Sequence, residues 1–393
     1  MLKEKYIALV DCDSFFVSCE QKRNPELKGK PVSVISNPNG CVISRSKEAK
    51  KLGVKMGEPL FLAKKDHPQG IYIVADHDYY DAVSKEVMNI LKNFSPYVQI
   101  YSIDEAFVDF TGLKRLYKKN YYSLAVMLRE KIAQDVDIPV SIGVSKSKTL
   151  AKLASDKAKN TKDGVYLIGR KKIQKELKHT NIEEIWGIGR RLTNFFHKSG
   201  ILKADELVKK DDKWLNDKIG INASEMKHEL LGECISPVIN EIKLPKSIQQ
   251  TKALNEFTND KNHLKNAINY HIHTACRKLR QIECKASVII LFLRTKDFRI
   301  ITAKKILDEP CDFELKISEE LLKMLENIYD KNILYRSTGV ILEHFTRNSE
   351  VQLMLFGNDK ETQKHKNLTK CFDNIERRFG KNAIQTGFDT KKN

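Results

Sequence analysis

No stretch of this 393-residue chain is apolar enough for long enough to cross a bilayer. Its longest hydrophobic run, Val288–Leu293, has only the length of a strand. Nor do the first residues carry a signal-peptide core: Met1-Leu2-Lys3-Glu4-Lys5 leads straight into the short apolar segment Ile7–Val10. The eight cysteines include no C-x-x-C pair and no histidine partner at zinc spacing, which excludes a zinc ribbon or finger. Scattered cysteines without secretory features read as reduced thiols, so a cytoplasmic location is expected. Internal repeats and low-complexity tracts are also missing.

What is present is charge and enough apolar residue to fold. The chain is 41% hydrophobic and 31% charged, wrong for a disordered protein. At about 150 residues per domain its length suits two to three domains, or four small ones. The formal net charge of +18 favours a polyanionic partner, nucleic acid or an anionic membrane. The excess is uneven: residues 146–178 hold 11 Lys and Arg against three Asp and Glu. A patch of that density is a binding surface or one solvated helix face.

Residues 6–11 read as a buried strand ending in a carboxylate, with a helix starting near Ser14. Residues 31–75, punctuated by Pro31, Gly40, Gly53, Gly57 and Pro59, suit a small turn-rich subdomain. Helical spacing follows over 79–94, two strands meet near Asp104, and a helix at 121–134 precedes a strand at 138–144. Residues 146–160 and 181–233 read as helical. Two prolines and no helical period make 236–250 a linker region. Beyond it the order is βαββαβ: strand 249–257, helix 261–281, strands 286–294 and 298–306, helix 318–329, strand 335–345. The tail, 346–393, is polar.

Asp11 ends its strand, and Asp104 and Glu105 sit where two strands meet. Adjacent residues on a regular strand point to opposite faces, so both reach one site only at a turn or bulge. Three hard oxygen ligands on neighbouring strands suit Mg²⁺, and two such ions can clamp an in-line phosphoryl transfer. The same acids could equally form a solvated turn.

Asp11-Cys12-Asp13-Ser14-Phe15-Phe16 and Tyr101-Ser102-Ile103-Asp104-Glu105-Ala106-Phe107 resemble the two palm motifs of the Y-family DNA polymerases, the translesion enzymes. The UmuC branch is the nearest in pattern, through Gly40–Arg45, Leu52–Pro59 and Ile185–Arg191. The resemblance implies an α+β multidomain fold with right-hand polymerase architecture: palm with a mixed sheet (1–30 and 76–170), small fingers (31–75), helical thumb with a helix-hairpin-helix (171–240), linker (241–248) and βαββαβ little finger (249–345). It implies that Asp11, Asp104 and Glu105, with the Cys12 carbonyl, hold two Mg²⁺ ions, and that Asp13 is not a ligand. Phe16 falls at the steric-gate position beneath the sugar, with Phe15 beside it. Ser44, Lys47, Lys50 and Lys152 fall where the family touches the triphosphate, although Lys47 and Lys50 replace the Tyr and Arg of many members. Lysine lacks the guanidinium fork, which weakens the match at both positions.

Gly187, Gly189, Arg190 and Arg191 resemble a helix-hairpin-helix turn, whose free amides bind a DNA phosphate. In the tail (346–393), Gln352-Leu353-Met354-Leu355-Phe356 resembles a sliding-clamp peptide, with Gln352, Leu353, Leu355 and Phe356 as its anchors. The activity implied is template-directed, low-fidelity addition of deoxynucleotides to a primer 3′ end, in translesion synthesis and the SOS response. Four such parts use the chain without leaving room for a proofreading exonuclease. Implied partners are primer–template DNA, dNTP, the sliding clamp, a processed UmuD-like protein and a recombinase filament, at the nucleoid and not at a membrane. Two other readings use the same features: a metal-dependent nuclease, which has no need of Phe16, and a non-catalytic DNA-binding, clamp-recruiting scaffold, which has no need of the three acids.

Overall fold

The structure, a computed structural model, describes residues 5–240, 244–348, 359–380 and 383. It divides into two compact units, one ending at Glu241 and one beginning at Ile242. Among the described residues no helix is long and apolar enough to cross a membrane.

The first unit opens with β1 (Ile7–Cys12) and α1 (Phe15–Arg23). A small insert follows, built from β2 (Val32–Ile35), β3 (Val42–Arg45), α2 (Lys47–Leu52), α3 (Leu60–Asp66) and β4 (Ile71–Val74). The chain continues through α4 (His77–Phe94), β5 (Val98–Ile100), β6 (Glu105–Asp109), α5 (Leu113–Tyr117), α6 (Tyr121–Val136), β7 (Val140–Ser145), α7 (Lys148–Ala158) and β8 (Val165–Leu167). Five short helices end it: α8 (Ile173–His179), α9 (Arg190–Lys198), α10 (Ala204–Leu207), α11 (Asp212–Lys218) and α12 (Ile221–Leu230).

The main sheet has the order β5-β6-β1-β7-β8. β1 lies at its centre, antiparallel to both β6 and β7, and every residue of β1 is buried. Alternation along that strand sorts its side chains. Ala8, Val10 and Cys12 join the core beneath α4 and α6, whereas Ile7 and Leu9 pack with Phe107 and Ala151 on the α7 side. Asp11 has the parity of Ile7 and Leu9, so it faces α7. Gly143, opposite Leu9, lets that helix approach: a Cβ there would stand 1.9 Å from the Ser155 nitrogen.

The insert is a three-stranded sheet, β3-β2-β4, with β2 and β4 parallel. Its own small core of Ile35, Val42, Ala49, Val54 and Ala63 makes it a subdomain. The helices α8–α12 share a core with Leu150, Leu153 and Ala154 of α7, so α7 is packed on two sides.

The second unit runs β9 (Ser247–Thr258), α13 (Lys261–Gln281), β10 (Cys284–Thr295), β11 (Ile300–Cys311), α14 (Glu314–Ile328) and β12 (Tyr335–Arg347). Every expected element of the βαββαβ order is there, within a few residues. The sheet order is β11-β10-β12-β9, with α13 and α14 on one face. The polar tail holds an unanticipated helix, α15 (Asp359–Phe379). It lies on α13 through Arg280–Asp373 (2.7 Å) and His273–Glu376 (2.8 Å). Gln352–Phe356 falls outside the described residues.

Candidate active site

β1 and β6 pair with Asp11 opposite Glu105, and the two carboxyls lie within hydrogen-bonding reach of each other. Lys152, one α7 turn along from the helix start, points at both: its Nζ is 3.2 Å from Asp11 Oδ2 and also bonds Glu105. Lys159, just past the end of α7, puts its Nζ 3.0 Å from the same Asp11 oxygen. The sequence reading did not separate Lys159 from the basic run. Its signal was its spacing of seven from Lys152, two helical turns on the same face.

This crowding shifts every group involved. Burial pushes Asp11 up, but its bond to Glu105 and the two ammonium groups outweigh that and hold it below the usual carboxylate range. Glu105, desolvated and facing Asp11, is pushed up to about 7 against the pull of Lys152. Burial disfavours charge on Lys152 and Lys159, yet the acids beside them hold both above the ordinary lysine value.

Asp104 occupies the bend before β6, as its adjacency to Glu105 requires. Its backbone is held at the site, because the buried Cys12 donates its N–H to the Asp104 carbonyl at 2.9 Å. Its carboxylate accepts from Ser102 Oγ at 2.6 Å rather than meeting Asp11. Asp13 points elsewhere: Ser141 Oγ donates to it at 2.8 Å, and burial raises its pKa.

Ser14 joins β1 to α1 in the left-handed region, φ 47°. That sharp reversal carries Phe15 into the core and leaves Phe16 half-buried. The Phe16 ring stacks on Tyr80 (centroids 4.8 Å apart) and meets His77 edge-on at 5.8 Å. Tyr80 is itself pinned, donating to Glu20 at 2.7 Å. Ser44 of β3 is buried and donates to the Ser14 carbonyl at 3.3 Å, tying the small subdomain to this turn. Lys47 and Lys50 stand exposed on α2, which Ser46 caps by accepting from Ala49 N. Burial, then the charges of Arg45 and Lys159, lowers the Lys50 pKa, so these cations from two subdomains converge.

Gly187 has φ 94° and Gly189 begins α9 with no side-chain cap, while Arg190 and Arg191 are exposed. The expected helix before this turn is instead one 3-10 turn, Ile182–Glu184. Asn181 donates its backbone N–H to Glu184 at 3.3 Å, which caps the start of the turn, and Ile185, extended at φ −77°, ends it.

Among the described residues no three acidic, His or Cys side chains form a ready cation cage. The reason is local: Asp104 is turned to Ser102, and ammonium groups lie against Asp11 and Glu105. The donor set nevertheless fits a hard divalent ion. A buried and a half-buried carboxyl pressed together, one forced up to about 7, are a negative site that a cation relieves.

Residues 10–156 match the model of the impB/mucB/samB family, and residues 245–355 match that family's C-terminal domain. The chain belongs to the impB/mucB/samB family. UmuC of Salmonella typhimurium is 29% identical over 389 residues, 96% of this chain and 92% of that protein. DNA polymerase IV of Oceanobacillus iheyensis is 30% identical over 391 residues, 97% and 91% respectively. A Y-family polymerase chimera of Dbh and Dpo4 superposes with a TM-score of 0.72 at 28% identity, covering 87% of this chain and all of that one. An insertion ternary complex of Dbh DNA polymerase gives 0.61 at 27% identity over the same shares. The fold is thus the right-hand architecture of the Y-family.

Proposed function

We propose that the Asp11–Glu105 cleft is the active site of a DNA-directed DNA polymerase that adds deoxynucleotides to a primer in translesion synthesis. The observation that carries this reading is the pairing of Asp11 with Glu105 beneath two lysines, with a stacked aromatic, Phe16, on the next helix. Polymerases of this family are metal-dependent. Asp11, Asp104 and Glu105, with the Cys12 carbonyl, are the residues that would hold two Mg²⁺ ions, which supply Lewis-acid activation of the attacking and leaving oxygens.

The chain's own residues do the rest. Lys159, half-exposed at the rim, is placed to reach the triphosphate and offset the charge that develops on leaving pyrophosphate. Lys152 is more enclosed and serves first as the counter-charge of the carboxylates. Lys47, Lys50 and Ser44 supply further donors from the small subdomain. Phe16, fixed against Tyr80, limits the space for a 2′-hydroxyl. Gly187–Arg191 offers free amides and two guanidinium groups to a DNA phosphate.

We assign residues 1–30 and 76–170 to the palm, 31–75 to the fingers, 171–240 to the thumb and 249–345 to the little finger. Primer extension by purified protein with Mg²⁺ and four dNTPs, on damaged and undamaged templates, tests the reading. Strand cleavage without extension would replace it with the nuclease alternative. DNA binding with neither activity would leave the scaffold.

A further inference from the structure

At one end of the second unit's sheet, cations lie on exposed aromatic rings rather than on acids. Phe298, at the tip of the β10–β11 hairpin, is 59% exposed, and Phe257 near the end of β9 is 49% exposed. The Arg336 guanidinium lies 3.8 Å from the Phe298 centroid and 5.9 Å from that of Phe257. Arg294 approaches Phe298 at 5.5 Å, and the Lys296 ammonium approaches Phe257 at 5.6 Å. Four strands therefore contribute to one surface, with Ile300 of β11, 57% exposed, beside the hairpin tip.

The backbone is shaped for it. β12 pairs Tyr335 with Thr295 and Ser337 with Arg294, so Arg336 is an extra residue bulged out of the ladder. The pairing with β9 breaks at the same point. Bulges re-aim a side chain, and here the one re-aimed is the arginine that stacks. The hairpin turn is closed by Thr295 N donating to Arg299 O at 2.9 Å, and Phe298 holds φ 69°, which residues other than Gly seldom adopt. Asp297 is engaged by Arg299 at 2.6 Å and by Thr295. Among the described residues, Arg294, Lys296 and Arg336 form no ion pair, and the buried Arg294 Nε has no hydrogen-bond acceptor.

We propose that this aromatic–arginine surface stacks an unpaired base of a DNA strand, the neighbouring cations taking its phosphates. A duplex presents phosphates and sugars outward, so cations alone would serve it, and half-exposed ring faces would find nothing to stack on. An unpaired base offers a π-face to any such ring, and a positively charged groove with aromatic platforms is the general solution for single strands. The inference rests on the polymerase reading only in taking DNA as the polymer. It is distinct from cation contacts along a duplex backbone.

The test uses the full chain and fluorescence anisotropy with a labelled oligo-dT and a blunt duplex of equal length. Changing Phe257 and Phe298 together to Leu keeps the apolar bulk and removes the π-faces. Affinity for the single strand should fall about tenfold or more, and that for the duplex by less than about twofold. Phe298→Trp should retain single-strand binding. Unaltered oligo-dT affinity, or an equal loss on both DNA forms at an unchanged melting midpoint, overturns the proposal. An equal loss accompanied by a lowered melting midpoint is resolved by Arg336→Lys, which keeps the charge and loses the planar stack: single-strand binding must still weaken selectively. An acidic protein partner is the remaining occupant, and single-strand affinity insensitive to both changes would point there. Primer extension by the wild-type chain reports on the polymerase reading separately, so the two fail independently.

Discussion

Lysines in the first unit and arginines in the second face opposite neighbours. Lys152 and Lys159 lie on the carboxyls of Asp11 and Glu105, inside a crevice where every group's pKa is displaced. Arg336 and Arg294 lie on the faces of Phe298 and Phe257, at a surface with solvent on the far side. Charges pressed together out of water are poised to rearrange when a cation or a phosphate enters. Charges spread over exposed rings keep their geometry and wait for a partner of matching shape. The first arrangement suits bond making, and the second suits holding a strand.

The contrast breaks most directly at the carboxylates. Replacing Asp104 and Glu105 by Ala should lower single-turnover nucleotide addition by about a thousandfold or more, since the metal contribution lost is worth several kcal/mol at 1.36 kcal/mol per tenfold. DNA affinity, read by anisotropy, should change little. Extension near the wild-type rate would show that the cleft is not where the chemistry occurs.

Lys152 sharpens the same contrast without touching an acid. Removing one partner of an enclosed ion pair typically costs about 3–5 kcal/mol because the other charge stays buried; at 18% exposure for Lys152 and 15% for Glu105, the lower part of that range is expected. Lys152→Met should therefore lower the melting midpoint in metal-free buffer, and Mg²⁺ should restore part of the loss. Lys159→Ala, at 39% exposure, should affect stability little and raise the KM for nucleotide about tenfold, as expected for loss of a charge-assisted bond. If Mg²⁺ leaves the Lys152→Met midpoint unmoved, the lysine is a structural strut rather than a stand-in for a cation.

Phe16 tests whether the crevice selects as well as reacts. Its ring is stacked on Tyr80, and Phe16→Ala should relax discrimination against ribonucleotides by about tenfold or more, one 1.4 kcal/mol step. Steady-state incorporation of ribo- and deoxynucleotides measures it. An unchanged ratio would return Phe16 to the status of a core aromatic.

Much of this architecture was legible in the sequence because it rests on short-range patterns. The short apolar run 6–11 reads as a buried strand with Asp11 at its end, and the βαββαβ periodicities locate the second unit's elements. Asp104-Glu105 was legible as a strand junction, but not the fact that Glu105 faces Asp11 while Asp104 turns to Ser102. Three further things were not legible. Lys159 is defined by what it touches, and that depends on how closely Gly143 lets α7 approach the sheet. The turn Ile182–Glu184 ends where Ile185 turns extended, although the apolar spacing runs on through Ile188. The helix α15 has apolar Leu368, Phe372, Ile375 and Phe379 at helical spacing, but they are sparse in a polar segment, and the ion pairs that dock it leave no mark on the local pattern.

That helix yields the smallest expected effect and the only pH switch of the set. His273 of α13 sits between two acids, its Nδ1 2.9 Å from Glu314 Oε2 on α14 and its Nε2 2.8 Å from Glu376 Oε1 on α15. Arg277, on the same helix, reaches Glu376 at 3.5 Å. Bonding to Glu314, and then Glu376, raises the His273 pKa against the effect of its burial. A group whose folded pKa is raised stabilises most below its unfolded value, about 6.5 for histidine, and loses that contribution as pH rises through the folded value. The cause is visible in the bonds: a protonated imidazole donates to both carboxylates, whereas a neutral one can donate to only one. Amide exchange in α15, corrected for intrinsic rates, should therefore quicken as the solution is taken from about pH 6 into the alkaline range. His273→Gln should exchange faster at the lower pH and lose most of the pH dependence. Arg280–Asp373, at 2.7 Å, should keep the helix docked in part. Equal protection in wild type and variant at both ends of the range would mean that α15 is held by its other contacts alone.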